Sequence, residues 1–355
     1  MRRFSTLRSR LHRGETRRWR PRLAADIAYL DDAREARLLN DYQRAFPVEP
    51  LPYARIADRL GADETWVRDR LARWQEDGRV SRVGAVFRPG SVGVSTLATV
   101  AVPGGDLARV ADIVSARPEV NHNYEREHDY NLWFVATAPD APALDAALAA
   151  IARDTGYTPL SLPLVADYWI DLGFDLGQPR GGARVPPARG PALRVALTEM
   201  DRRVIAALEP GLPLVSAPYA AVAERAGVGE ADVLARVARW LDEGVIRRFG
   251  IIVRHRELGY AANAMCVWNV PDADADDIGG ALARETGVTL CYRRGRALPG
   301  WPYNLYCMVH GRDRAQVRLA VADIAAWHGL DRFPGAILFS TRRFKQRGAR
   351  YWGAG

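Results

Sequence analysis

The stretch Asn121-His122-Asn123-Tyr124-Glu125-Arg126-Glu127-His128-Asp129-Tyr130-Asn131-Leu132-Trp133-Phe134 reads as two strands joined by a short polar turn. Side chains on a strand alternate faces, so an extended run places His122, Tyr124 and Arg126 together on one side. An imidazole, a phenol and a guanidinium in a row are costly to aim at an apolar core and are sensible where that face meets a polar ligand. Outward from the hairpin, Thr96–Val102 reads as a strand, Asp106–Ala116 as a helix, Ala141–Arg153 as an alanine-rich helix and Leu160–Ile170 as a closing strand. The order βαββαβ predicts a ferredoxin-like layer of helices on an antiparallel sheet.

Upstream, Asp26 to Leu39 reads as a helix. Pro52-Tyr53-Ala54-Arg55-Ile56-Ala57-Asp58-Arg59-Leu60-Gly61 reads as a second helix closed by glycine, and Ala62-Asp63-Glu64-Thr65 opens a third that ends near Gly78. The strand Arg79–Phe87 completes a winged helix-turn-helix. The whole plan then repeats. Pro52-Tyr53, Gly61, Trp74 and Gly78 return as Pro218-Tyr219, Gly227, Trp240 and Gly244, all at an offset of 166, and Arg82-x-Gly84 returns as Arg248-x-Gly250. In the second hairpin Tyr292, Arg294 and Tyr303-Asn304-Leu305 match Tyr124, Arg126 and Tyr130-Asn131-Leu132, but Leu290 stands opposite His122. The fold class is therefore α+β, a tandem duplication of a winged helix-turn-helix and a ferredoxin-like domain. The boundaries drawn are a basic, disordered tail at 1–25, winged units at 26–90 and 194–258, ferredoxin-like domains at 91–176 and 259–355, and a Pro/Gly linker at 177–193. Two halves of one design are expected to pair as a pseudo-dimer.

The 355 residues carry a formal charge of +8. Nine arginines against Glu15 within residues 1–22 account for all of it; setting these aside leaves 41 basic and 41 acidic residues. The high pI thus describes the tail, and the rest is not a basic nucleic-acid-binding protein. Cys266, Cys291 and Cys307 are isolated from one another in sequence, which weakens zinc and iron–sulfur readings and fits a reduced cytoplasm. No apolar run is long enough to span a membrane.

Each half resembles the Lrp/AsnC regulators, most clearly over Val222–Gly227 and Val233–Arg248. The motif His122-Asn123-Tyr124-x-Arg126-Glu127-His128-x-Tyr130-Asn131-Leu132-Trp133-Phe134 narrows the likeness to the sirohaem decarboxylases of that superfamily. Cys291-Tyr292-x-Arg294 and Trp301-Pro302-Tyr303-Asn304-Leu305-Tyr306 resemble the partner subunit, so the chain looks like the fused NirD–NirL type of haem d1 biosynthesis in denitrifying bacteria. A histidine often precedes Cys-Tyr in the partner hairpin, and Leu290 departs from that.

The resemblance implies a sirohaem substrate from which CO₂ is removed at two acetate arms, with no cofactor beyond that iron tetrapyrrole and with homologous decarboxylase subunits as potential partners. Its carboxylates call for cations: Arg126, Arg293, Arg294 and Arg296, with Arg342, Arg343 and Lys345 after the closing strand. For Arg342 and Arg343 a solvated edge is an equal reading. Proton donors would come from His122, Tyr124, Tyr130, Tyr292 and Tyr303, the tyrosines helped by adjacent arginines. Trp133 and Trp301 would wall the site, where plain core is the competing reading, and Asn131 and Asn304 would bind substrate. His122 is the first candidate for axial ligand to the substrate iron, with His128 and His310 as alternatives. The competing classes are a DNA-binding regulator and a non-catalytic haem sensor; the acidic starts of the recognition helices, Asp63, Glu64 and Asp69, then Glu230 and Asp232, weigh against DNA.

Overall fold

The computed structural model describes residues 33–170, 195–254, 262–285 and 287–352. The tail, the first part of the helix expected from Asp26, the linker and His255 lie outside them.

In the first half, α1 (Ala33–Asp41), α2 (Pro52–Leu60), α3 (Glu64–Glu76) and β1 (Val80–Phe87) form the winged unit. Proline opens α2 where a missing N–H costs nothing, and Gly61 closes it at φ 63°. The Asp63 carboxylate caps α3 by accepting from the Trp66 amide at 2.8 Å. Then follow β2 (Val94–Val100), α4 (Leu107–Ala116), β3 (Val120–Arg126), β4 (Leu132–Ala138), α5 (Ala141–Thr155) and β5 (Leu160–Ile170), the βαββαβ order expected from sequence. The second half repeats it as α6 (Glu199–Leu208), α7 (Pro218–Ala226), α8 (Glu230–Asp242) and β6 (Ile246–Val253), then β7 (Ala262–Trp268), α9 (Asp272–Leu282), β8 (Val288–Arg294), β9 (Leu305–Gly311), α10 (Arg314–Trp327) and β10 (Gly335–Gln346).

The halves interlock at two levels. The wing strands β1 and β6 pair antiparallel with Gly84 opposite Gly250, and both winged units share one core. The repeated glycines have a steric reason. A Cβ on Gly84 would lie 3.1 Å from Gly211 Cα, and one on Gly250 would lie 2.6 Å from the Gln43 carbonyl oxygen, so each admits backbone of the other half. The two matching tyrosines bond reciprocally, Tyr53 to the Pro213 carbonyl at 3.1 Å and Tyr219 to the Pro47 carbonyl at 2.9 Å.

Below the wings, the two four-stranded sheets do not remain separate layers. β5 pairs with β8 and β10 pairs with β3, closing an eight-stranded barrel in the order β10-β3-β4-β2-β5-β8-β9-β7. Helices α4 and α5 cover one side and α9 and α10 the other, each over its own apolar layer. A third cluster fills much of the interior: Leu97, Trp133 and Leu162 from the first half meet Met265, Trp301, Tyr306 and Leu338 from the second. Every pairing around the ring is antiparallel, and β3 and β8 are four strands apart by either route. They therefore run parallel on opposite walls, with both hairpin tips at one mouth and His122 and Leu290 toward the other. The three cysteines, separate in sequence, come into one row, with Cys307 opposite both Cys266 and Cys291; all are buried free thiols.

Candidate functional site

On β3 the expected alternation holds. Asn123 turns outward, its amide donating to the Ala111 carbonyl at 3.1 Å and to Ser115 at 3.0 Å on α4. His122, Tyr124 and Arg126 consequently turn into the barrel. The rings of His122 and Tyr124 are 6.2 Å apart, and the Arg126 Cζ lies 5.7 Å from the centre of the Tyr124 ring. His122 and Tyr124 are half-buried. Burial holds the His122 pKa down to about 4, the charge of Arg82 adds to the depression, and a backbone hydrogen bond with Arg347 opposes it. The imidazole is neutral at pH 7.

On the opposite wall, β8 presents Tyr292 and Arg294, with the Arg294 Cζ 4.7 Å from the Tyr292 ring centre. Tyr292 stacks on Tyr306 at 5.4 Å. Arg126 feels Tyr292 electrostatically as well as its neighbour Tyr124, so the file from β3 meets that from β8 across the interior.

Ion pairing sorts the arginines. Arg126 donates to the Leu338 carbonyl at 3.2 Å and Arg294 to the Leu162 carbonyl at 2.8 Å; neither meets a carboxylate among the described residues, and the Nε of each is buried without an acceptor. Arg293 and Arg296 do not join them. Arg293 turns to α9, 3.4 Å from Asp276, and Arg296 is spent on the Asp272 carboxylate at 2.7 Å and on Asn269, Val270 and Pro302.

Other expected contributors are engaged in hydrogen bonds within the protein. Asn131 clamps the end of β2, bonding both the amide and the carbonyl of Val102 at 3.0 and 2.8 Å, and Asn304 does the same to Val270 at 2.9 Å for each bond. Lys345 is not brought to the barrel interior. A bulge between Arg343 and Lys345 turns it to the side of Asn123, where its ammonium bonds the Ser115 and Arg117 carbonyls at the end of α4. Arg342 stacks on Phe344, which packs under the helices, whereas Arg343 stands opposite Tyr124.

Trp301 gathers an aromatic cluster at the hairpin tips: Trp133 at 4.8 Å, Tyr303 at 4.9 Å, His128 at 5.1 Å and Tyr130 at 5.9 Å. Trp133 and Trp301 are fully buried and bonded, to the Tyr130 carbonyl and the Tyr306 hydroxyl respectively. His128 accepts from the Tyr130 amide, and His310 is buried beside the Thr289 hydroxyl at 2.9 Å. Two residues absent from the sequence-based set reach the site, Tyr306 and Arg82. The repeated Arg82-x-Gly84 carried the signal for the second, but as a strand pattern it pointed only to a wing.

A family model for the AsnC-like ligand-binding domain matches residues 91–168 and 257–345, and these with the paired winged units define an Lrp/AsnC-like protein of fused halves. A model described as the siroheme decarboxylase NirDL-like helix-turn-helix domain matches residues 35–80 and 201–247. The siroheme decarboxylase NirDL subunit of Paracoccus denitrificans is 46% identical over 90% of this chain and 97% of its own length. A siroheme decarboxylase of Hydrogenobacter thermophilus is 31% identical over 89% and 94%. The crystal structure of a siroheme decarboxylase NirDL superposes with a TM-score of 0.66 at 27% identity, covering 90% of this chain and 94% of that one; another was solved with an iron-uroporphyrin III analogue. The chain belongs to the NirDL siroheme decarboxylases.

Proposed function

We infer that this protein is a sirohaem decarboxylase, a carboxy-lyase that converts sirohaem to 12,18-didecarboxysirohaem on the route to haem d1. The observation that carries the reading is the pair Arg126, buried, and Arg294, half-buried, on opposite walls, each with its Nε buried without an acceptor and with no carboxylate partner among the described residues. An isolated buried cation destabilises a fold, and a polycarboxylate ligand removes that penalty. The many similar chains named for this activity support the same conclusion.

Each acetate arm loses CO₂ and gains one proton, CH₂CO₂⁻ becoming CH₃. The electron pair left by the broken C–C bond passes into the macrocycle, so the protein's tasks are to anchor the other carboxylates, exclude water at the reacting arm and deliver protons. Arg126 and Arg294 anchor. Tyr124 and Tyr292, each beside one of those guanidiniums, are the proton donors in this scheme. The neutral His122 supplies a lone pair to the substrate iron from the ring nitrogen not engaged by Arg347. Tyr130 and Tyr303 serve the aromatic wall at the tip mouth. No cofactor beyond the substrate enters this scheme.

The winged units act as scaffolds in this reading. Three of their helix arginines are drawn into ion pairs with buried acids: Arg70 with Glu35 at 2.7 Å, Arg236 and Arg239 with Asp201 at 3.1 and 3.2 Å. Those charges are withdrawn from any phosphate backbone. Among the described residues no helix is long and apolar enough to cross a membrane. The free thiols of Cys266, Cys291 and Cys307 fit the reduced cytoplasm proposed as its compartment. Related chains named NirD, NirL and NirH subunits make homologous subunits the natural partners to test. Anaerobic incubation of the purified protein with sirohaem, followed by mass spectrometry, should show the loss of two CO₂. Bound but unchanged sirohaem would indicate a sensor, and salt-sensitive binding to one operator a regulator.

A further inference from the structure

Arg82 belongs to the wing strand β1, outside the ferredoxin-like domain, yet its side chain leads toward the imidazole of His122. Glycines make its path. A Cβ on Gly211 would lie 3.0 Å from the Arg82 Cβ and 3.2 Å from its Cδ, and a Cβ on Gly348 would come within 2.5 Å of the guanidinium carbon. Gly348 lies two residues beyond β10, and Gln346 of that strand stands opposite His122. The guanidinium is thus threaded between the wing and the end of β10, at the mouth where the β3 file begins.

Its own needs are unmet there. Nη2 donates to the Ala85 carbonyl at 2.9 Å, Nε is buried without an acceptor, and no carboxylate pairs with it among the described residues. Burial brings its pKa down to about 10, which leaves it charged at neutral pH. A cation in that position sets a like charge near His122, so it is no aid to protonating the ring. The arrangement costs stability unless an anion arrives, and it repeats at a third site the pattern of Arg126 and Arg294.

We propose that Arg82 binds a peripheral carboxylate of the tetrapyrrole on the His122 side, so that the first winged unit contributes a substrate-binding residue to the barrel site. The inference rests on the tetrapyrrole reading above. It gives the wing a role in recognition, distinct from the anchors on the barrel walls, and it makes the docking of wing on barrel part of the site's geometry.

The test uses the full chain and ferric iron uroporphyrin III, titrated by absorption. Arg82→Met keeps the apolar stem and removes the charge. It should bind at least tenfold more weakly than the native protein, with the ligand field of the bound iron unchanged and the melting temperature of the ligand-free protein not lowered. Arg82→Lys should recover part of the affinity. Equal affinity in Arg82→Met overturns the proposal. So does a loss of affinity matched by a fall in melting temperature, which marks a structural residue. If Arg82→Met does not fold, Arg82→Gln is judged by the same criteria. Native protein that fails to bind the probe would sink the tetrapyrrole reading itself, and this inference with it.

Discussion

The hairpins β3–β4 and β8–β9 have the same frame and different contents. Arg126 and Arg294 bond equivalent carbonyls, of Leu338 and Leu162, across the seams that join the halves. Asn131 and Asn304 clamp equivalent turns at Val102 and Val270. Bulges between Val120 and His122 and between Val288 and Leu290 occupy the same place. The mouth differs. Leu290 holds the position equivalent to His122, and Arg343, opposite Tyr124, is replaced by Asp167, opposite Tyr292 and paired with Arg247 of the wing. What the halves share is the frame and the Tyr–Arg pair of each inward face; what they do not share is His122, the residue proposed above to meet the substrate iron.

The sharpest way to break this contrast is to exchange its defining pair. His122→Ala should remove the axial ligand to bound ferric sirohaem and lower turnover by roughly a hundredfold or more, whereas Leu290→Ala should leave both intact. Absorption and EPR spectra of the bound iron decide it; a native ligand field in His122→Ala, lost instead in His128→Ala or His310→Ala, moves the ligand elsewhere.

The anchors come next. Arg126→Ala and Arg294→Ala should each weaken sirohaem binding by about 1.5–3 kcal/mol, with Arg→Lys restoring part because the planar fork is gone. An effect confined to Arg126 would extend the asymmetry from iron to cations, and no effect in either removes both from the site.

A pH titration sharpens the contrast further. The folded His122 pKa, about 4, lies below the ordinary 6.5, so the unfolded chain takes up its proton first as pH falls. The contribution of His122 to stability is therefore complete above pH 6.5 and is lost as pH falls toward 4. Iron ligation should persist to near pH 5. His122→Leu should flatten this part of the stability profile; an unchanged slope would show that the ring titrates normally.

The smallest effect is expected at Lys345. Lys345→Met should lower stability by about 0.3–1 kcal/mol through the lost carbonyl contacts at the end of α4, with sirohaem affinity unchanged. A loss of affinity would return Lys345 to the site.

The element order, the duplication and the inward face of β3 were legible because each is a local pattern: period-two alternation, a proline opening and a glycine closing a helix, a constant offset. The closed barrel was not. It depends on β5 finding β8 and β10 finding β3, pairings between edges far apart in the chain that leave no periodic mark. The same limit explains the misplaced cations. Alternation predicts faces only until a bulge shifts the register, and one bulge is enough to turn Lys345 away from the site. Arg296 and the two asparagines carry site-like chemistry, but their loops consume it in holding the hairpin ends. Arg82 lay hidden because the wing reads as part of another domain.

Closure of the ring also bears on how such a protein is made and kept. Relatives named NirD and NirL subunits each align with about two-fifths of this chain, 42% and 41% for the pair from Stutzerimonas stutzeri. A single half of the present chain would expose β3 and β5 as unpaired borders, each a template for adding a foreign strand. Fusion places the two complementary borders on one polypeptide in fixed one-to-one supply, so neither half waits for a partner while its borders are bare. Severed halves made separately should therefore aggregate at unequal dosage and be rescued when made together in matched amounts.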